Sequence, residues 1–193
     1  FKFRGENGAQ LNAVVEATQL SSAAEPASFG INGLLLGGAD LKLIVRGALV
    51  NGALVGSPSD GALLDGIYVK AVGTATDKSI FNATFTDSPI TNSGRRGLAL
   101  ELENAEANMT FAKGGFAASV GSVITGSTNA NVFINAVDSK VNLNFDAASG
   151  NLSGSGGDGI FTTVNNSDVN ITFAGQANLS NNGRHGMLLG ANN

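Results

Sequence analysis

Asn131-Val132-Phe133-Ile134-Asn135-Ala136-Val137-Asp138-Ser139-Lys140-Val141-Asn142-Leu143-Asn144-Phe145 reads as two strands in succession. In Val141-Asn142-Leu143-Asn144-Phe145 apolar and polar residues alternate strictly, the period of a strand with one buried face. The same pattern closes Val169-Asn170-Ile171-Thr172-Phe173, and the distance from the opening residue to the closing Phe is 14 residues in three successive segments, 97 to 111, 131 to 145 and 159 to 173. A spacing kept over three segments marks an internal repeat.

Working outward, six segments share the opening: Gly33-Leu34-Leu35-Leu36, Gly66-Ile67-Tyr68-Val69, Gly97-Leu98-Ala99-Leu100, Asn131-Val132-Phe133-Ile134, Gly159-Ile160-Phe161-Thr162 and Gly186-Met187-Leu188-Leu189. Their first residues, the anchors, lie 33, 31, 34, 28 and 27 positions apart. Second strands end at Val45, Phe85, Phe111, Phe145 and Phe173. A third short strand centres on Ile90, Ile124, Leu152 and Leu179, each seven residues before the next anchor. Three strands per repeat predict an all-β, right-handed parallel β-helix of about six rungs with three parallel sheets, equivalent residues lying about 4.8 Å above one another.

The template assigns faces. Ile67, Val69, Leu98, Leu100, Leu102, Val132, Ile134, Ile160 and Met187 point inward from the first sheet, and Leu41, Leu43, Met109, Leu143 and Ile171 from the second. Phe111, Phe145 and Phe173 form an aromatic core ladder. The outward column of the first sheet reads Leu35, Tyr68, Ala99, Phe133, Phe161 and Leu188, so this sheet is apolar on both sides. The next outward row, Lys70, Glu101, Asn135 and Thr163, is polar. An apolar column of that length is expected to be an interface, covered by the N-terminal segment or by another chain.

Composition agrees with a solenoid. Gly is frequent at 27, while Cys and Trp are absent and only 13% of the 193 residues are charged. Polar positions carry Asn, Ser, Thr, Gly and Asp, which favour turns over helices. With a net charge of −4 and basic residues scattered apart from Arg95-Arg96, the chain lacks the clustered footprint that nucleic acid requires. No apolar run reaches the length of a spanning helix, so membrane insertion is not expected. The whole chain, 1–193, is read as a single solenoid domain, with 1–32 as a poorly matching N-terminal rung or cap and 33–193 as regular rungs, part of a longer repeat protein.

The phrases Asn151-Leu152-Ser153-Gly154-Ser155-Gly156-Gly157-Asp158-Gly159-Ile160 and Asn178-Leu179-Ser180-Asn181-Asn182-Gly183-Arg184-His185-Gly186-Met187 resemble the rungs of right-handed parallel β-helix repeat proteins of the pectate-lyase-like type. That group includes polysaccharide lyases and hydrolases, phage tailspikes and bacterial surface proteins, so the resemblance implies a fold without choosing a function.

The search for chemistry centres on the residue before each anchor: Asp65, Arg96, Ala130, Asp158 and His185. Asp65 and Asp158 lie three rungs apart, about 14 Å at the strand spacing, beyond the roughly 5 to 9.5 Å of glycosidase carboxylate pairs. The column is expected to be a plain turn position and His185 a solvated turn residue. No catalytic residues and no metal ligands are assigned. Calcium is the one cofactor candidate, at Gly157-Asp158-Gly159 and Ser57-Pro58-Ser59-Asp60-Gly61, although isolated Asp-Gly turns are ordinarily only turns. Glycosylation sequons at Asn82, Asn108, Asn151, Asn165, Asn170 and Asn178 follow from alternating Asn and Thr on outward strand positions. The expected role is a non-enzymatic, extracellular structural or adhesive element of a bacterial cell surface, associating with itself or with a neighbouring surface protein. A carbohydrate-active β-helix, with a glycan as partner, is the alternative.

Overall fold

The computed structural model describes residues 1–17, 28–47, 49–50, 53–54, 59–115 and 121–192. Every element among them is a strand. β1 (Lys2–Gly5) and β2 (Gln10–Ala17) come first, followed by β3 (Ile31–Leu36), β4 (Asp40–Gly47), the short antiparallel pair β5 (Leu49–Val50) and β6 (Ala53–Leu54), and β7 (Ser59–Asp60). The next turn comprises β8 (Asp65–Val72), β9 (Ser79–Thr86) and β10 (Ile90–Thr91), and the one after it β11 (Arg96–Glu103), β12 (Ala105–Ala112) and β13 (Ile124–Thr125). β14 (Ala130–Val137) and β15 (Lys140–Phe145), then β16 (Asp158–Asn165) and β17 (Asp168–Phe173), continue the series to β18 (Met187–Asn192).

The first sheet runs β1-β3-β8-β11-β14-β16-β18, the second β17-β15-β12-β9-β4-β2 and the third β13-β10-β7, and all their pairings are parallel. Chain neighbours lie in different sheets while residues about thirty apart pair, which is a parallel β-solenoid. It has about five turns, and the last anchor opens β18 alone. The third sheet continues past β13 through the parallel bridge Asn151 to Asn178, and Leu152 N–H donates to Asn178 O at 2.9 Å.

Register sets the core. Val15, Val45, Phe85, Phe111, Phe145 and Phe173 occupy one column of the second sheet. Its four rings stack with centroids 5.1, 4.8 and 5.1 Å apart and planes within 14° of parallel, which extends the expected ladder to Phe85. Phe85, Phe111 and Phe145 are buried, and area transfer of each is worth about 1.5 to 3 kcal/mol. The inward residues read from the sequence are buried, apart from Ile171, Phe173 and Met187, which lie on the outermost strands β17 and β18.

The first anchor needs correction. β3 pairs Ile31 with Ile67 and Gly33 with Val69, so Gly30 is the residue equivalent to Gly66. Gly33 faces the core, and a Cβ there would lie 2.0 Å from Cζ of Phe3, whose ring fills the space from β1 and stacks 6.2 Å from Phe81. Leu35 therefore points inward, fully buried opposite Ala71, and Asn32 takes the outward place beside Tyr68. The true anchors need close approach: a Cβ on Gly97 would sit 2.2 Å from Cγ2 of Ile124 and 2.7 Å from Asn131 O. Asn131 is the exception and is wholly buried; its Oδ1 accepts from Ser127 N–H at 3.2 Å and its Nδ2 donates to Ser153 O at 3.0 Å.

Corners are built from residue types that tolerate left-handed backbone. Asn104, Asp138 and Asn166 have φ of 47°, 49° and 45° between the first and second strands, and Asn92, Gly126, Gly154 and Asn181 repeat the device after the third. Buried serines link rungs at other corners. Ser122 Oγ accepts from Ser88 N–H and Ser149 Oγ from Ser122 N–H, both at 3.0 Å, while Ser139 Oγ accepts from Ala105 N–H at 3.1 Å. These contacts satisfy backbone donors that the rungs would otherwise bury unpaired.

Candidate binding cleft on the outer face of the first sheet

Strand register brings Asp65, Arg96, Ala130 and Asp158 into one column at the start of the first sheet. The sequence reading made this a plain turn position, and the burial overturns that: both carboxylates are fully buried. Each is clasped by two side chains from the following rung, two arginines at Asp65 and an arginine and a histidine at Asp158. Arg96 donates to Asp65 through Nε and Nη2 at 2.9 and 3.0 Å, and Arg95 donates through Nε at 3.0 Å and through Nη2. That hydrogen bonding raises the Arg95 guanidinium above its ordinary value. At the second clasp Arg184 Nη2 lies 2.5 Å from Asp158 Oδ2 and His185 Nδ1 lies 2.8 Å from Oδ1, so His185 is a clasp residue as well as a half-exposed one. Such geometry is what a buried carboxylate requires, since an unpaired one would be strongly destabilising.

Beside the clasps runs the outward column Asn32, Tyr68, Ala99, Phe133, Phe161 and Leu188. Ala99 is fully buried, while Tyr68, Phe133, Phe161 and Leu188 are half-buried. Phe29 packs on Tyr68 with ring centroids 5.7 Å apart. The Tyr68 hydroxyl donates to Glu101 Oε2 at 2.8 Å, and its pKa is pushed up to about 12, first by burial and then by that hydrogen bond. The Phe133 and Phe161 rings stack at 5.7 Å and 15°, and the Arg96 guanidinium covers Phe133 at 4.4 Å from its centroid.

Between the clasps the column holds Ala130, whose side chain ends at Cβ. The gap is a cleft of about 480 Å³, floored by Ala130, Gly156 and Gly157, walled by Phe133 and Phe161 and flanked by Arg95, Arg96, Arg184 and Asp158. A more open depression near Lys78, Asp138 and Asp168 is lined largely by the corner asparagines and serines that tie rungs together. Among the described residues no three His, Cys, Asp or Glu side chains gather in a metal-holding group. Of the calcium candidates, both Asp158 oxygens are engaged by Arg184 and His185, and Ser57 and Pro58 lie outside the described residues.

Sequence reasoning found the column but not the clasps. A usable signal exists: Asn92-Ser93-Gly94-Arg95-Arg96-Gly97 and Asn181-Asn182-Gly183-Arg184-His185-Gly186 each follow an Asp-Gly anchor by one rung.

Fold and corners define a parallel β-helix repeat protein with an ion-paired cleft on one outer face. Comparison with family models, curated proteins and solved structures gives no match to the chain.

Proposed function

We propose that the chain is a non-enzymatic structural and adhesive segment of an extracellular bacterial surface protein, presenting the outer face of its first sheet to a partner. The observation that carries this reading is the state of the two carboxylates. Asp65 and Asp158 are buried and hydrogen-bonded to cations from the next rung, which suits them to locking rungs together. General acid or base work needs a carboxyl within hydrogen-bond reach of the substrate and with a pKa near the working pH. The closely spaced rungs supply the stiffness that a stalk or adhesin requires, and the half-buried Tyr68, Phe133, Phe161 and Leu188 supply contact surface. The same face suits lateral association with a second copy or a neighbouring surface protein.

The cleft itself favours the second reading, a carbohydrate-active β-helix, since clefts of a few hundred Å³ with convergent polar groups are where ligands bind. Incubation with panels of acidic and neutral polysaccharides, followed by assay of new chain ends, separates the two. Unchanged polymers are expected. Cleavage that disappears in Asp158→Asn would overturn the structural reading.

A further inference from the structure

The cleft has a length and a polarity that together select a ligand. Arg95 immediately precedes β11 and Arg184 lies shortly before β18, three steps apart in the order β11-β14-β16-β18, so the guanidiniums stand roughly 14 Å from each other along the axis. Between them Ala130, Gly156 and Gly157 keep the floor low, and Thr128 and Asn129 complete the lining. Gly156 and Gly157 cannot carry more, because a Cβ on either would fall 2.4 Å from Thr128 O or 1.9 Å from Asn129 O. Asp65 occupies Nε and Nη2 of Arg95, and Asp158 occupies only Nη2 of Arg184. Nη1 of Arg95 and both Nε and Nη1 of Arg184 remain for a ligand, on side chains 39% and 61% exposed.

Guanidinium forks match carboxylates, and aromatic ring edges carry the positive end of the ring quadrupole. Sugar platforms use ring faces. Here Phe133 has Arg96 on its ring and Phe161 stacked against it, so the faces of Phe133 are taken and its edge is what it offers the cleft. An extended peptide advances about 3.4 Å per residue and places alternate side chains on one side, so two groups roughly 14 Å apart on one face are four residues apart. We infer that the cleft binds an extended acidic peptide with carboxylates at positions i and i+4, one on Arg95 and one on Arg184, and an apolar i+2 side chain against Phe133 and Phe161. Recognition of acidic motifs by arginine clusters is a recurring mode of peptide binding. The inference rests on the adhesive reading and names the partner of that face.

The test uses the full chain and a fluorescein-labelled peptide containing Glu-Ser-Val-Ser-Glu, followed by anisotropy at low salt. Saturable binding is expected, weakening as salt is raised. Replacing either Glu by Gln should weaken it about tenfold, and shortening the spacing to i+3, which turns the second carboxylate to the opposite face, should do the same. Arg184→Lys keeps the charge and loses the fork, with several-fold weaker binding expected. Because changes at the clasps can unfold the protein, Thr128→Glu is the companion variant: Thr128 is an exposed wall residue outside both clasps, and a carboxylate there should repel the peptide by about tenfold. Equal binding of the Gln or i+3 peptides, no effect of Thr128→Glu, or no binding at all overturns the inference. Competition by an acidic oligosaccharide as effective as unlabelled peptide also overturns it in favour of a glycan. Failure of the peptide without polysaccharide cleavage leaves the structural reading standing, whereas cleavage removes that reading.

Discussion

The outer faces of the first two sheets lie on one scaffold and are built on opposite principles. On the second sheet Asn82, Asn108, Asn142 and Asn170 occupy one column, and from Asn108 onward each Nδ2 donates to Oδ1 of the asparagine before it, at 3.0, 2.7 and 3.2 Å. On the first sheet the column Asp65, Arg96, Ala130 and Asp158 changes character at every rung. A uniform column satisfies itself, the inner side chains Asn108 and Asn142 each being donor to one neighbour and acceptor for the other. A varied column must find complements in the flanking residues, as Asp65 does in Arg95 and Asp158 in Arg184, and it opens a gap where the complement is missing at Ala130. Repetition marks architecture, and departure from it marks the candidate site. The sequons at Asn82, Asn108 and Asn170 belong to the uniform ladder, so their amides already have structural partners.

The core shared by both faces sets the scale. Phe111→Ala removes a ring stacked on both sides, and a loss of about 3 to 5 kcal/mol is expected in chemical denaturation followed by circular dichroism. Arg96→Ala on the varied face should cost about 2 to 3 kcal/mol, since it strips two charge-assisted bonds from buried Asp65 while Arg95 remains. Asn108→Ala on the uniform face should cost only about 0.5 to 1.5 kcal/mol, the net worth of an ordinary hydrogen bond. The contrast between the faces breaks if Asn108→Ala proves as damaging as Arg96→Ala.

Strand pairing was legible because inward residues recur in phase. Phe111, Phe145 and Phe173 announce the second sheet, and Ile90, Ile124 and Leu152 the third. The reading failed at Gly33 for a specific reason. A glycine before three leucines looks like an anchor, but the ring of Phe3 from another rung takes the volume a side chain would fill there, and spacing within one repeat does not contain that information. Leu35 moved inward as a consequence. The clasps were missed for a different reason: register places Asp65 and Arg96 side by side, yet burial at a corner depends on how the backbone turns there. The serine links at Ser88, Ser122 and Ser149 were hidden because serine is common in any turn and only the stacking makes it structural.

The smallest effect is the most selective for the varied face. Tyr68 is the sole tyrosine and the chain has no Trp, so phenolate absorbance reports one residue. In the native protein its midpoint is expected at about 12, and in denaturant near the ordinary 10. The sign follows from proton binding: between those values the folded chain holds a proton that the unfolded chain has released, so folding stability from this group is complete below pH 10 and declines as pH rises toward 12. Glu101→Gln removes the acceptor charge but leaves the burial, so it should bring the native midpoint down part of the way, and a midpoint unmoved by that change would mean that burial alone sets it. The equivalent measurement has no counterpart on the second face, where the ladder amides do not titrate. A native midpoint near 10 would show that Tyr68 is solvated and that the outward column is not the packed surface on which the cleft depends.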